Sequence, residues 1–424
     1  MTHHEFQTGV GCARALDADD ELARFRSAFE LPKHGAQPAT YLCGHSLGLM
    51  PSAARRRVDA ELERWARRGV EGHFEGDGWL RYHERFAAPL ARLVGAAPGE
   101  VVAMNSLTVN LHLMLVSFYR PTPDRHKIVV ERDAFPSDRF AVESQLRFHG
   151  FDPRDSLLEL APEPGQWTLD LARLQALLDE HSEQIALLLL PGVQYLSGQA
   201  LDIGSAVSLA HRHGCVIGFD LAHAVGNLPL GLHEAGADFA VWCSYKYLNA
   251  GPGAVGGAFV HRDALERGGL PRFEGWWGQE EARRFDAAAA FSPLPGAAAW
   301  QLSNPPILSL APLDASLALF DEAGIERLRA KSERLTAYLE FLLRKEIGEA
   351  AEILTPSEPA ARGCQLSIKL AAGGKRNDVA AGLRKAGVVA DWRKSGILRL
   401  APVPLYNRFR DAFDAVQALK RALR

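Results

Sequence analysis

Apolar residues between positions 100 and 265 fall in short unbroken runs, separated by longer stretches of mixed polarity. The runs are too short for helices, and their content of Val, Ile, Leu and Phe predicts strands. Strands that are apolar at every position are buried on both faces, which is typical of a mainly parallel sheet covered by helices. The predicted strands cover residues 128–130, 185–190, 216–220, 239–243 and 254–261, and the helices between them include residues 168–180 and 206–213.

Helical periodicity dominates both ends of the chain. A short helix is predicted around residues 20–29, and an amphipathic helix follows with Val58, Leu62 and Trp65 on one face. Beyond residue 310 the pattern predicts a long helix, a strand, a short helix and a final helix, at residues 325–342, 364–370, 379–386 and 409–423. The chain is therefore predicted to be α/β, with an N-terminal arm (1–60), a large domain (61–308) and a smaller α+β domain (309–424). A substrate cleft is expected between the two domains.

Composition narrows the class of protein. The chain has 424 residues, 47% apolar and 23% charged, as in soluble globular proteins, and its net charge is −3. This balance argues against nucleic acid or an anionic membrane as the main partner. The longest apolar runs are too short to span a bilayer, and the first residues lack the plan of a signal peptide. The five cysteines are scattered, without a CxxC pair, so we expect a reduced cytoplasmic protein without a structural metal.

The most informative chemistry lies at the ends of two predicted strands. Lys246 follows the run 239–243, and Asp220 ends the run 216–220. A lysine ε-amine forms a Schiff base with pyridoxal 5'-phosphate (PLP), and a carboxylate holds the ring nitrogen of that cofactor protonated. The plain alternative is a solvated lysine and an aspartate that caps a turn. A charge that closes a buried strand needs a partner or a function, which favours the PLP hypothesis.

Two other segments fit the same cofactor. Ser106 or Thr108 stands at the start of a helical apolar run, where free N–H groups can bind a phosphate; a simple N-cap is the alternative. Phe135 follows the first predicted strand, where an aromatic ring can stack on a planar cofactor, although a lone Phe is more often part of a core.

Four polar or aromatic segments are candidates for a substrate site. Trp276 and Trp277 lie between two glycines on a predicted loop, suited either to ligand contact or to a packed loop or subunit contact. Arg399 lies inside an apolar run, where a guanidinium fork would bind a carboxylate or form a structural ion pair. His73 and His45 each lie in a glycine-containing loop, and each is more often structural when considered alone.

Taken together, these segments resemble the kynureninase family, PLP-dependent hydrolases of fold type I, the fold of aspartate aminotransferase. The resemblance extends from about residue 17 to about residue 410, and seven segments in order make it specific. They are residues 44–49, 107–111, 134–138, 218–227, 242–249, 303–307 and 399–407. One departure stands out: the loop that commonly reads Gly-Asn-Ser-Leu-Gly in the family has His45 in place of the Asn, which puts the hydrogen bonding of that loop in doubt.

The resemblance implies roles for individual residues. Lys246 would form the Schiff base, Asp220 would pair with the ring nitrogen, and Tyr245 would bind phosphate or transfer a proton. Arg399 would hold the substrate's α-carboxylate. The other implied cofactor contacts are Leu107, Thr108, Phe135, Pro136, Ser137, Asp138, His223, Trp276 and Asn304, of which Trp276 and Asn304 would come from the second subunit of a homodimer. The residues implied at the aryl end of the substrate are Ser46, His73, Trp277 and Asn304.

The implied reaction is hydrolysis of the Cβ–Cγ bond of L-kynurenine or 3-hydroxy-L-kynurenine to an anthranilate and L-alanine, in tryptophan catabolism or NAD biosynthesis. Polar His73 and Asn304 favour the hydroxylated substrate. One alternative is a cysteine desulfurase or an aminotransferase on the same fold. Cys364 opens an apolar strand, a poor position for the mobile nucleophile of a desulfurase. A non-catalytic protein on this fold is the other alternative, and it would be expected to lose Lys246 or Asp220.

Overall fold

The computed structural model describes residues 6–76, 78–286, 290–371, 376–393 and 396–424. Its first helices are α1 (Val10–Ala18), α2 (Ser52–Arg68) and α3 (Ala87–Val94). The central part alternates strands and helices: β1 (Val101–Ala103), α4 (Leu107–Phe118), β2 (Lys127–Glu131), α5 (Pro136–Phe148), β3 (Leu157–Leu160), α6 (Leu171–His181), β4 (Ile185–Pro191), α7 (Ile203–Arg212), β5 (Val216–Asp220), β6 (Phe239–Cys243) and β7 (Gly256–Val260).

The C-terminal part contains the remaining long helices and a second sheet. Its elements are α8 (Ile307–Ala323), α9 (Ile325–Leu342), β8 (Ala351–Ile353), β9 (Leu366–Leu370), α10 (Arg376–Lys385), β10 (Asp391–Trp392), β11 (Ile397–Leu400) and α11 (Phe409–Ala422). Shorter helices span Pro153–Ser156, Leu232–Ala235 and Arg262–Arg267. Short strand pairs join Phe29–Glu30 to Met50–Pro51, Lys33–His34 to Gln37–Pro38, and Thr40–Tyr41 to Val388–Val389.

The large sheet has seven strands in the order β1-β7-β6-β5-β4-β2-β3. The five strands from β6 to β3 are parallel, and β7 runs antiparallel to both of its neighbours. Since parallel neighbours end at the same edge, the residues after β2, β4, β5 and β6 are brought together although they are far apart in sequence. Buried apolar side chains cover both faces of this sheet, as the unbroken apolar runs predict.

The second sheet has four antiparallel strands in the order β8-β9-β11-β10. Its core also contains side chains of the N-terminal arm, among them Phe6, Leu16 and Leu42. Helix α8 packs instead with the core of the large sheet through Leu310, Leu313 and Leu317. The domain boundary between residues 308 and 309 stays a prediction.

Most predicted elements are present, and three differences have physical causes. The five predicted strands and the helices at 168–180 and 206–213 are confirmed within a few residues, but the short strands β1 and β3 were not predicted. The first helix is α1, and the segment predicted as helical at 20–29 contains a 3-10 helix, Ala23–Ala28. The face of α2 with Leu62 and Trp65 is exposed, because no described element of the same chain covers it.

Candidate active site

The last residues of three neighbouring parallel strands, Glu131, Pro191 and Asp220, line one cavity of about 670 Å³ at the carboxyl edge of the large sheet. Nine of the residues singled out by sequence line the same cavity. They are Leu107, Thr108, Phe135, Ser137, Asp138, Asp220, His223, Tyr245 and Lys246. The structure therefore brings together side chains that lie up to 139 positions apart in the chain (107 to 246).

Lys246 is held by the loop that follows β6. This loop closes on itself, since the N–H of Asn249 donates to the carbonyl of Lys246 at 3.0 Å. The N–H of Gly48 donates to the carbonyl of Tyr245 at 2.8 Å, which ties the loop to the N-terminal arm. The Lys246 Nζ lies 5.7 Å from the centre of the Phe135 ring and 5.9 Å from the centre of the Tyr245 ring. The amine is therefore held at the aromatic wall of the cavity.

Three carboxyl groups share the floor of the cavity. Asp220 accepts a hydrogen bond from the N–H of Ala222 at 2.6 Å. Burial, the negative charge of Asp220 and a hydrogen bond with Asp220 raise the pKa of Asp138 well above its usual value. Burial and the nearby Asp220 also raise the pKa of Glu131, against a hydrogen bond from Gln194. Both shifts favour the neutral form of the Asp138 and Glu131 carboxyl groups beside Asp220.

Two helices begin at the cavity. Ser106, at the N-cap of α4, makes no side-chain cap, so the first N–H groups of that helix are left for another acceptor. Helix α5 begins at Pro136 directly after Phe135. The hydroxyls of Thr108 and Ser137, one from each helix, are 2.8 Å apart. Two helix N-termini joined in this way form a binding site for an anion.

The walls of the cavity carry His223 and Tyr245. Burial, together with the positive charges of Lys246 and Arg399, lowers the pKa of His223 well below its usual value, so its imidazole is neutral. The Nδ1 of His223 has no hydrogen-bond partner among the described residues. Burial raises the pKa of Tyr245, with a further contribution from Cys243, so its phenol keeps its proton.

Arg399 lies on β11 of the second sheet and is 1% exposed. Its Nε donates to Asp391 at 2.7 Å, and its Nη1 donates to the carbonyl of Tyr195 at 2.6 Å. Tyr195, which lines the cavity, was not singled out by sequence. The signal that could have found it is its position just after β4, on the same edge as Asp220. Arg399 therefore bridges the two sheets next to the cavity.

Strained backbone surrounds the cavity. Among the described residues other than glycine, positive φ occurs at Asn105 (48°), Asp133 (60°) and Asn249 (53°). These residues precede α4, precede Phe135 and follow Lys246, respectively. Asn and Asp are the side chains that tolerate this conformation best, and such strain is concentrated at functional sites.

Seven predicted site residues do not line the cavity of the single chain, and one of them, Arg399, is described above. Ser46, Asn304 and Trp276 are exposed, and His73 packs edge-on against Trp79 with ring centres 5.1 Å apart. Trp277 is buried in its own chain, with the guanidinium of Arg284 4.5 Å from its ring centre. Pro136 opens α5 beside the lining residue Phe135. The roles of these residues stay predictions.

Gly48→Ala is expected to destabilise the protein by about 1–3 kcal/mol, because the added methyl overpacks a closed contact. An ideal Cβ at position 48 would lie 2.3 Å from both the carbonyl oxygen of Lys246 and Oδ1 of Asn249. Urea unfolding of the purified variant measures the effect. Gly204→Ala is the matched control, since its Cβ would meet nothing closer than Asp202 Oδ1 at 3.7 Å. Equal stability of the two variants would contradict the tight contact.

Comparisons with known proteins agree with this site. A family model described as "Kynureninase C-terminal domain" matches residues 328–419. A chain named Kynureninase from Xanthomonas euvesicatoria pv. vesicatoria is 55% identical over 410 residues, which cover 96% of this chain and 97% of that one. Another, from Xanthomonas oryzae pv. oryzae, is 55% identical over 401 residues, covering 94% and 95%.

Solved structures match the fold. A cysteine desulfurase, CsdA from Escherichia coli, superposes with a TM-score of 0.76 at 19% identity and covers 95% of this chain and 98% of its own. A C-DES mutant with glycine covalently linked to its PLP cofactor gives 0.77 at 16% identity, covering 90% and 96%. These likenesses show the PLP-dependent fold type I. Identity of 55% over nearly the whole of both chains shows more than a shared fold, and with the cavity residues described above it places this chain in the kynureninase family.

Proposed function

We propose that this chain hydrolyses the Cβ–Cγ bond of L-kynurenine or 3-hydroxy-L-kynurenine, releasing L-alanine and the corresponding anthranilate, with PLP as cofactor. The observation that carries the proposal is the 55% identity, over 96% of the chain, to a protein named Kynureninase. The cavity supports it, because it supplies an amine, a carboxylate, an anion site and an aromatic face at one place. A desulfurase is supported less well, since the desulfurases that match are below 20% identical.

The residues of the cavity fit PLP. Two buried polar atoms at the cavity, His223 Nδ1 and Asp138 Oδ1, have no hydrogen-bond partner among the described residues. The joined N-termini of α4 and α5 suit the phosphate, through Thr108 and its neighbours. Phe135, which is 40% exposed, offers a ring face for stacking. We assign the remaining positions to Asp220 at the ring nitrogen and Lys246 at the aldehyde carbon.

When bound, PLP supplies an electron sink that stabilises negative charge on the substrate's Cα. Asp220 would keep the sink effective by holding a proton on the ring nitrogen, and the raised pKa of Asp138 favours the neutral form of that second carboxyl group. Lys246 is assigned the removal of the α-proton and its return, since its amine lies at the cavity wall beside Phe135. Tyr245 keeps its proton, so it can donate a hydrogen bond to oxygen that gains negative charge as water attacks the γ-carbonyl.

The substrate is oriented by its two ends. The guanidinium of Arg399 would bind the α-carboxylate, since a fork of N–H donors matches two carboxylate oxygens. Its bonds to Asp391 and Tyr195 fix the direction of that fork. Ser46, His73, Trp277 and Asn304 would surround the aryl ring.

Steady-state cleavage of the two substrates by the PLP-loaded protein tests the function. Anthranilate or 3-hydroxyanthranilate is followed by fluorescence, and alanine is measured in the same samples. Equal amounts of the aryl amine and alanine are expected. Protein that retains PLP but releases no aryl amine from either substrate would overturn the reaction and leave the fold standing.

Asn304→Thr is expected to lower the preference for 3-hydroxy-L-kynurenine over L-kynurenine roughly tenfold in kcat/KM, because the amide that hydrogen-bonds the ring hydroxyl is lost. The ratio of kcat/KM for the two substrates measures the change. Gln417→Thr, on α11, is the control and should keep the wild-type ratio. An unchanged ratio in Asn304→Thr would remove Asn304 from the aryl site.

We also propose that two chains form a homodimer with shared sites. Large apolar side chains on and after α2 are exposed in the single chain, including Trp65 (61%), Val70 (67%) and Phe74 (58%). Several large exposed apolar side chains in one stretch of the chain are expected of a protein interface. Trp276 and Asn304 are exposed as well, as expected of residues that complete a neighbour's site.

Co-expression of two impaired chains tests the shared site. One chain carries Lys246→Ala, and the other carries Trp276→Ala with Asn304→Ala. A mixed dimer has one site with both halves intact, so random pairing restores about a quarter of wild-type activity. Sedimentation velocity of the wild type measures the dimer directly. Activity no higher than the sum of the two separate variants would place each site within one chain.

We propose the cytoplasm as the compartment, since all five cysteines are free thiols, as expected in a reducing environment. Among the described residues, no helix is both long and apolar enough to cross a membrane.

A further inference from the structure

The loop 44–48 is clamped between the two halves of the active site. Cys43 pairs with Ala401, two residues after Arg399, and the N–H of Ala401 donates to the carbonyl of Leu42 at 2.9 Å. At its other end, the loop is bonded to the carbonyl of Tyr245 through Gly48. A Cβ at Gly44 would lie 2.4 Å from the Tyr406 hydroxyl, so the loop cannot move in that direction. The loop therefore holds His45 in one place.

His45 is buried at that place with its hydrogen-bonding capacity unused. Its side chain is 1% exposed, and both ring nitrogens lack a hydrogen-bond partner among the described residues. Its ring centre lies 6.2 Å from that of His223, which lines the cavity. An imidazole has one donor and one acceptor when neutral, and burying both without partners costs free energy. The ring is thus positioned for a ligand that the described residues do not provide.

The charges around His45 indicate the nature of that ligand. Burial lowers the pKa of His45 well below its usual value, and Arg399, Arg393 and Lys246 lower it further. All three of these charged groups are cations, so an anion that reaches His45 would be attracted there. The cofactor phosphate is assigned to the N-termini of α4 and α5, where the hydroxyls of Thr108 and Ser137 meet. The remaining anion is a carboxylate carried by the substrate.

We propose that His45 is a substrate-binding residue that donates a ring N–H to the α-carboxylate held by Arg399. Arg399 uses its Nε and one Nη1 hydrogen on Asp391 and Tyr195, so a second donor completes the shell around the carboxylate. The inference rests on the proposed function, because it requires an amino-acid substrate in this cavity. The proposal also explains why His45 can stand where the family's loop commonly has an Asn, since both side chains carry an N–H donor.

Calorimetric titration of the PLP-loaded protein with L-alanine and with L-alaninamide tests the proposal. The two ligands share the amino group and methyl, but only L-alanine carries the carboxylate. His45→Leu is expected to raise the Kd of L-alanine about ten- to a hundredfold, as for loss of a hydrogen bond to a charged group, and to change that of L-alaninamide less than about twofold. His45→Asn keeps an N–H donor and should restore the selectivity for L-alanine.

Two controls separate this role from a structural one. His126 directly precedes β2, and its imidazole stacks on the Phe151 ring with ring centres 4.4 Å apart. His126→Leu removes this imidazole and should keep the wild-type selectivity. If His45→Leu does not give folded protein that retains PLP, His45→Phe, closer to the imidazole in shape, replaces it.

Each outcome decides between the proposals. Selective loss of L-alanine binding in the apolar variant, with recovery in His45→Asn, supports the assignment. An equal rise in the Kd of both ligands, or no change in selectivity, overturns the assignment of His45. Cleavage of kynurenine by the wild type would still leave the proposed function intact. A wild type that neither retains PLP nor cleaves kynurenine overturns the proposed function and this inference with it.

Discussion

Lys246→Ala is expected to lower kcat for kynurenine cleavage by more than about 10⁴-fold, because one substitution removes both the covalent attachment point of the cofactor and the base at Cα. No other lysine lines the cavity among the described residues, so no neighbouring amine replaces it. Anthranilate fluorescence measures kcat, and the absorbance of the dialysed protein measures retained PLP. Retention is expected to fall as well, since the phosphate site and Phe135 then hold the cofactor without a covalent bond.

Two further lysine variants make the result specific. Lys369→Ala removes a lysine whose Nζ lies 5.2 Å from the Trp167 ring, away from the cavity, and should keep wild-type activity. Lys246→Arg keeps a positive charge but not a neutral amine, and it should be as inactive as the alanine variant. More than a tenth of wild-type activity in Lys246→Ala would exclude Lys246 as the base.

Asp220→Asn is expected to lower kcat about 10²–10³-fold with a smaller change in KM. The negative charge of Asp220 at the ring nitrogen matters most in the transition state, where negative charge develops on Cα and must be delocalised into the ring. Substrate binding precedes that step and is affected less. The substitution keeps the shape of the side chain and its hydrogen bond from the N–H of Ala222. Burial, the largest cause of the raised pKa of Asp138, remains in the variant, so this neighbour is not expected to replace the lost charge. Separate determination of kcat and KM, with PLP content as a check, measures the effect.

Asp321→Asn is the matched control for Asp220→Asn. Asp321 is an exposed carboxylate that pairs with Arg92 at 2.7 Å on the surface, and its loss should leave kcat unchanged. Asp220→Glu keeps the charge and should retain more activity than the asparagine variant. If Asp220→Asn raises KM alone and leaves kcat intact, Asp220 acts in binding and not in stabilising the developing charge.

The elements of the large sheet were predictable because their signal is local. Five strands are unbroken apolar runs, and the edge strand β3 was missed because only its last residue, Leu160, is buried. The short strand β1 has three residues, too few for a periodic signal. Helix α2 was predicted from its apolar face, yet the exposure of Trp65 in the single chain depends on what covers that face, which no periodicity encodes.

For the active site, the sequence by itself determined which residues are candidates for chemistry and that they lie at strand ends. Lys246, Asp220 and Phe135 follow apolar runs, and parallel strands place such residues at a common edge. Family resemblance added the individual roles. Tyr195 and Glu131 line the cavity by the same strand-end rule and could have been included.

Only the tertiary structure decided which of these side chains meet and in what state. The hydrogen bond that couples Asp138 to Asp220, the burial of His45 beside Arg399, and the bridge from Arg399 to Tyr195 each join residues that are far apart in the chain. Protonation states depend on burial and on neighbouring charges, which are properties of distance in space. The periodicity of the sequence predicts only the face of its own helix or strand to which a side chain belongs. The distances between side chains of different elements are set by the strand order and by the packing of the two sheets.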